Sequence, residues 1–96
     1  MKISEFQKTI EEIYFARDSA RGLRGTFMWF IEEVGELSTA LLSGDRKEMK
    51  GEFADVFAWL VSLASIAGID MVEAVQKYAD GCPCCHQTPC ECSPKR

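Results

Sequence analysis

The stretch "LLSGDRKE", Leu41 to Glu48, decides how this chain folds. Gly44 suits the left-handed position that follows a helix C-terminus. Asp45, with Glu48 three residues on, reads as the capping box that opens another helix. A connection this short predicts two antiparallel helices lying side by side.

Upstream of the turn, "FIEEVGEL" (Phe30 to Leu37) carries Glu32, Glu33 and Glu36 among apolar residues. Phe27, Phe30, Val34, Leu37 and Leu41 trace one helical stripe, and Glu33 and Glu36 fall along its flank, about 60° apart. Downstream, Met49, Phe53, Val56, Phe57, Leu60 and Ala64 form the matching stripe of the next helix. In "EFADVF" (Glu52 to Phe57), Glu52 and Asp55 occupy the corresponding flank, again about 60° apart. Glu36 lies about 12 Å along the axis before Gly44, and Glu52 about 10 Å after Asp45. The hairpin therefore brings both acid pairs to nearly the same height.

Four converging carboxylates repel one another, and in a partly buried setting some would have to protonate. Divalent cations relieve this, and carboxylate oxygen suits hard ions such as Mg²⁺ or Mn²⁺. A di-iron bundle would want Glu-x-x-His on two helices, whereas the one histidine, His86, lies far downstream. The plainer alternative is that the acids form a solvated rim on amphipathic helices.

The rest of the chain reads as helix up to about residue 80. A capping box at Ser4 and Gln7 starts a first helix with Phe6, Ile10, Ile13, Tyr14 and Arg17 on one face. The glycines of "RGLRG", Arg21 to Gly25, break it. The helix after the turn ends near Gly68, and Asp70 and Glu73 cap a shorter fourth helix reaching about Ala79. The expectation is an all-α, four-helix bundle over residues 1–80, followed by a cysteine-rich tail over 81–96.

Composition agrees with one globular domain: 96 residues, 47% hydrophobic and 27% charged. The net charge of −4 argues against a partner such as a nucleic acid polymer, which wants a basic face. No leader is expected, and "VFAWLVSLASIAGI" is too short for a membrane span, so a cytoplasmic protein without a membrane partner is expected. A domain this small needs support from a metal, a second copy or both.

With these residues in place, the chain resembles the MazG-like family of all-α nucleoside triphosphate pyrophosphohydrolases. The family motif E-E-x-x-E, a spacer, then E-x-x-D matches Glu32-Glu33-Val34-Gly35-Glu36 and Glu52-Phe53-Ala54-Asp55. The resemblance runs from about residue 3 to 79. It implies Mg²⁺-dependent hydrolysis of a nucleoside triphosphate to a monophosphate and pyrophosphate, as house-cleaning of the nucleotide pool. Glu33, Glu36, Glu52 and Asp55 would be the metal ligands, and Glu32 a further ligand or the residue that orients the attacking water. It also implies a homodimer or homotetramer with pockets shared between subunits.

Base and phosphate contacts are less visible. Trp29 and Phe27 could stack on a base, or serve the core or a subunit interface. Lys8, Arg17, Arg21 and Arg24 could reach phosphates, or be plain surface charge. On the helix after E-x-x-D, where family members carry basic or amide residues, only Lys77 and Tyr78 stand.

The tail "CPCCHQTPCEC" offers Cys82-x-x-Cys85 and Cys90-x-Cys92, four thiols able to wrap a tetrahedral Zn²⁺. Cys84 and His86 are then spare. Disulfides and an unstructured tail are the rivals, the odd count of five arguing against the first. As a whole the chain reads as a pyrophosphohydrolase; the alternative is a non-enzymatic, zinc-bearing oligomeric interaction module.

Overall fold

The first helix opens at Lys2, whose backbone N–H donates to Glu5 Oε1 at 2.8 Å. Glu5 thus takes the reciprocal capping role that the sequence assigned to Gln7, a charged carboxylate being the stronger acceptor. In this computed structural model, which describes residues 1–94, helix α1 runs over Ile3–Ser43. Lys95 and Arg96, the end of the expected tail, lie outside the described residues.

Gln7 is freed for a different task. Its Nε2 donates to Ser65 Oγ at 3.1 Å and to the Ile69 carbonyl at 2.9 Å. Its Oε1 accepts from the Met71 backbone N–H at 2.8 Å. One buried amide therefore ties the beginning of the chain to residues 65–71.

The expected break in "RGLRG" is a single residue. Gly22 has φ 83° and ψ 173°, a region that only glycine enters readily. Helix resumes immediately, so α1 consists of two arms, residues 3–21 and 23–43. Gly25 stays helical, and the aliphatic stem of Arg21 packs against it.

The hairpin follows the expected turn. Gly44 is left-handed, with φ 74° and ψ 5°, and its N–H donates to the Ala40 carbonyl at 3.2 Å. Asp45 Oδ1 accepts from the N–H groups of Lys47 and Glu48 at 3.0 and 3.1 Å, capping helix α2, Arg46–Ile66. Glu48 does not reach back; the Asp45 N–H donates to Ser43 Oγ at 3.2 Å instead.

Past Gly68 the chain turns through 102°. Asp70 Oδ1 accepts from the Val72 N–H at 2.9 Å and caps helix α3, Met71–Ala74. The expected fourth helix is therefore one α-turn, tightening into a 3₁₀ turn over Val75–Tyr78. Among the described residues there is no strand, so the all-α expectation holds while the count of four full helices does not. No single helix among them is long and apolar enough to cross a membrane.

The core is thin. Ile10, Ala40 and Val61 are its buried apolar members, joined by the buried polar residues Gln7, Asp18, Thr26 and Ser62. On the second arm of α1, the more buried residues are Thr26, Phe30, Glu33, Leu37 and Ala40. The expected stripe is thus rotated: Val34 and Leu41 remain 39% and 51% exposed, and Glu33 faces inward rather than along a flank. The arm is apolar on two faces, and small Ala40 gives α2 the closer approach.

Candidate metal centre and nucleotide groove

The i,i+3 spacing of Glu33 with Glu36 puts both on neighbouring turns of α1, and the hairpin sets Glu52 of α2 against them. Each of these three offers a carboxylate oxygen, and the three oxygens lie within 4.8 Å of one another. Glu33 Oε2 and Glu52 Oε2 are buried and have no hydrogen-bond partner. Buried carboxylate oxygens are normally paired with donors or a metal. Two such residues on separate helices, with carboxylate oxygens this close together, fit a hard cation such as Mg²⁺ or Mn²⁺.

The electrostatics carry the same signature. Burial, reinforced by the charge of Glu36, pushes the Glu33 carboxyl from 4.5 up to about 7. Burial also raises Glu52, with Glu36 and Asp55 adding to the repulsion. Asp55 stands outside the oxygen trio, yet its charge acts on both Glu33 and Glu52. Glu32 is exposed and does not join the trio, lying about 100° round the helix from Glu33.

A model of the MazG nucleotide pyrophosphohydrolase domain matches residues 22–85. The chain belongs to the MazG nucleotide pyrophosphohydrolase family. The matched span begins at the Gly22 break and contains both halves of the acid motif. The phosphoribosyl-ATP pyrophosphatase of Novosphingobium aromaticivorans is 36% identical over 66 residues, covering 69% of this chain and 62% of that relative. The chain thus matches less than two thirds of the relative's length.

Beside the acids, this MazG-family chain has a groove of about 250 Å³ lined by Arg17, Asp18, Arg21, Asp55, Trp59 and Ser62, among others. Trp59 lies one turn after Asp55, and Trp29 one turn before Glu33. Their rings stack with centroids 6.1 Å apart and planes 13° from parallel. The Arg21 guanidinium sits 5.1 Å from the Trp59 ring centre and 3.0 Å from Asp18 Oδ1.

The site residues expected from sequence divide accordingly. Glu33, Glu36 and Glu52 meet, Asp55 joins them to the groove, and Arg21 lines that groove. Trp29 reaches it through Trp59, while Phe27 packs against Phe30 at 6.2 Å. Arg24 is exposed and outside the groove lining. Lys8 lines a separate surface with Ser65 and Asp70, Ser65 being about 15 Å along α2 from Asp55. Asp18, Trp59 and Ser62 were not expected at the site. The i+4 offset of Trp59 and the i+7 offset of Ser62 from Asp55 were the available signal.

Proposed function

We propose that this chain is a Mg²⁺-dependent nucleoside triphosphate pyrophosphohydrolase that cleaves between the α and β phosphates. The observation that carries the reading is that Glu33 and Glu52, from two helices, each have a buried, partnerless carboxylate oxygen and, with Glu36, bring carboxylate oxygens within 4.8 Å of one another. Glu33, Glu36, Glu52 and Asp55 would hold the ion. When bound, a divalent cation neutralises the phosphate oxygens and stabilises the leaving pyrophosphate. The chain's own groups do the positioning. Asp55 bridges the acids to the groove, Trp59 lines the groove where the nucleoside would lie, and Arg21, over the Trp59 ring, supplies a positive charge there. Glu32, clear of the trio, is left to orient the attacking water.

The exposed surface supports a second copy as part of the same proposal. The chain exposes 7388 Å², about 1,800 Å² more than a compact monomer of 10.8 kDa. An excess of that size fits an obligate homodimer or homotetramer. The five free cysteines fit a cytoplasmic location, which fractionation of cells producing the chain checks.

The test is pyrophosphate release with Mg²⁺ across ribo- and deoxynucleoside triphosphates, with phosphoribosyl-ATP included because the relative is named for it. Glu36→Gln and Asp55→Asn are each expected to lower the rate about 100-fold. Silence across the whole panel, or rates untouched by both changes, would overturn the reading.

A further inference from the structure

The described chain carries a second cluster of ligating atoms, remote in sequence from the acids. Cys82, Cys85, Cys90 and Cys92 bring four sulfurs within 4.8 Å of one another. Cys82 Sγ stands 3.7 Å from Cys92 Sγ and 3.6 Å from Cys90 Sγ, and Cys85 Sγ stands 4.0 Å from Cys90 Sγ. A disulfide would need about 2.0 Å. Four sulfurs at the Zn–S distance of about 2.3 Å define a tetrahedron with edges of about 3.8 Å. The observed spacings straddle that edge.

The backbone is shaped to hold the sulfurs there. The N–H groups of Glu91 and Cys92 point at Cys85 Sγ and Cys90 Sγ, each at 3.3 Å. Such donors stabilise thiolate. The His86 N–H donates to the Cys82 carbonyl at 2.7 Å, and the Cys82 N–H returns to the Gln87 carbonyl at 3.1 Å, closing the turn. At Gly81, φ is 102°, and a Cβ would meet Thr88 Oγ1 at 2.8 Å and the Gln87 carbonyl oxygen at 3.1 Å, so the chain folds back this closely on Gly81 because glycine stands there.

From Gly81 to Pro94 no residue is buried and none lies in a helix or a strand. About a dozen residues without a core cannot offset the entropy of fixing their backbone.

We propose that Cys82, Cys85, Cys90 and Cys92 bind one Zn²⁺ in a closed tetrahedral site that folds this segment, with Cys84 and His86 outside it. Four protein ligands leave no open position, so the ion is structural rather than hydrolytic. The site is independent of the pyrophosphohydrolase reading. It also outruns the family match, which ends at Cys85 and so omits the second cysteine pair.

The experiment is zinc analysis by mass spectrometry on the full chain purified under reducing conditions without chelator. One zinc per chain is expected in wild type, Cys84→Ser, His86→Ala and Asp55→Asn, and less than a fifth of that in Cys90→Ser. Replacing the ion with Co²⁺ in wild type should give the visible bands and sulfur charge-transfer absorption of a four-thiolate tetrahedral centre. That spectrum serves even where Cys90→Ser fails to fold. Reduced wild type with neither zinc nor a cobalt spectrum would overturn the proposal. So would Cys90→Ser retaining full zinc, or Cys84→Ser losing as much as Cys90→Ser.

Discussion

Glu33 occupies the position between Phe30 and Leu37 where α1 meets α2, on a face that ordinarily carries aliphatic side chains. Burial there holds its carboxyl near 7, against 4.5 in the unfolded chain. The folded form therefore binds this proton more tightly. Its contribution to stability is complete below pH 4.5 and is lost as the pH rises through about 7. Magnesium-free protein should melt at a lower temperature at pH 8 than at pH 6, and Mg²⁺ should restore more of the loss at pH 8. Scanning calorimetry at the two pH values checks this, and a higher magnesium-free melting point at pH 8 would contradict it. The acid pairs were legible in the sequence because i,i+3 spacing and distance from the turn fix their height whichever face is buried. The inward aim of Glu33 was not, because Phe27, Ile31, Val34 and Leu41 offer a second stripe as apolar as the one that is used.

At the scale of elements, two residues set how the arms of α1 lie against α2. Gly22 lets the chain change direction within one residue. A Cβ added there meets nothing within 4 Å, so Gly22→Ala tests backbone conformation alone. It is expected to destabilise the chain by about 1–3 kcal/mol, read as a lower urea midpoint with an unchanged slope. Gly25→Ala, at a helical position, would instead push on the flexible Arg21 stem. Gln7→Ala removes three hydrogen bonds and leaves the Met71 N–H and Ile69 carbonyl without that partner. A loss of about 1–3 kcal/mol is expected, and an unaltered melting point would show that water replaces the amide. The "SGD" turn was readable because glycine and aspartate each have one dedicated role in it. The break in "RGLRG" was readable too, but not which residue carries it, since its two glycines are equivalent until φ is known. "SEFQ" misled because Glu5, inside the same window, outcompetes Gln7 for the backbone.

For the whole molecule, the radius of gyration is 15.7 Å, against about 12.5 Å for a compact chain of this length. Phe15, Phe27, Met28, Ile31, Leu41 and Leu42 are all at least 45% exposed. Sedimentation at micromolar concentration should report two or four chains, and a stable species of 10.8 kDa would contradict the proposed assembly. The sequence showed this surplus of apolar faces but not their arrangement, since one strand of text cannot say which face meets its own chain and which meets a copy. The connection between α1 and α2 is only Gly44 and Asp45. No slack exists there to absorb a change of length. One residue inserted into or deleted from either limb between Glu36 and Glu52 would swing one acid pair about 100° away from the other. Across this hairpin the spacing of the acid motif is itself a working part of the proposed site, and drift in its length would separate the two halves while leaving every acid in place.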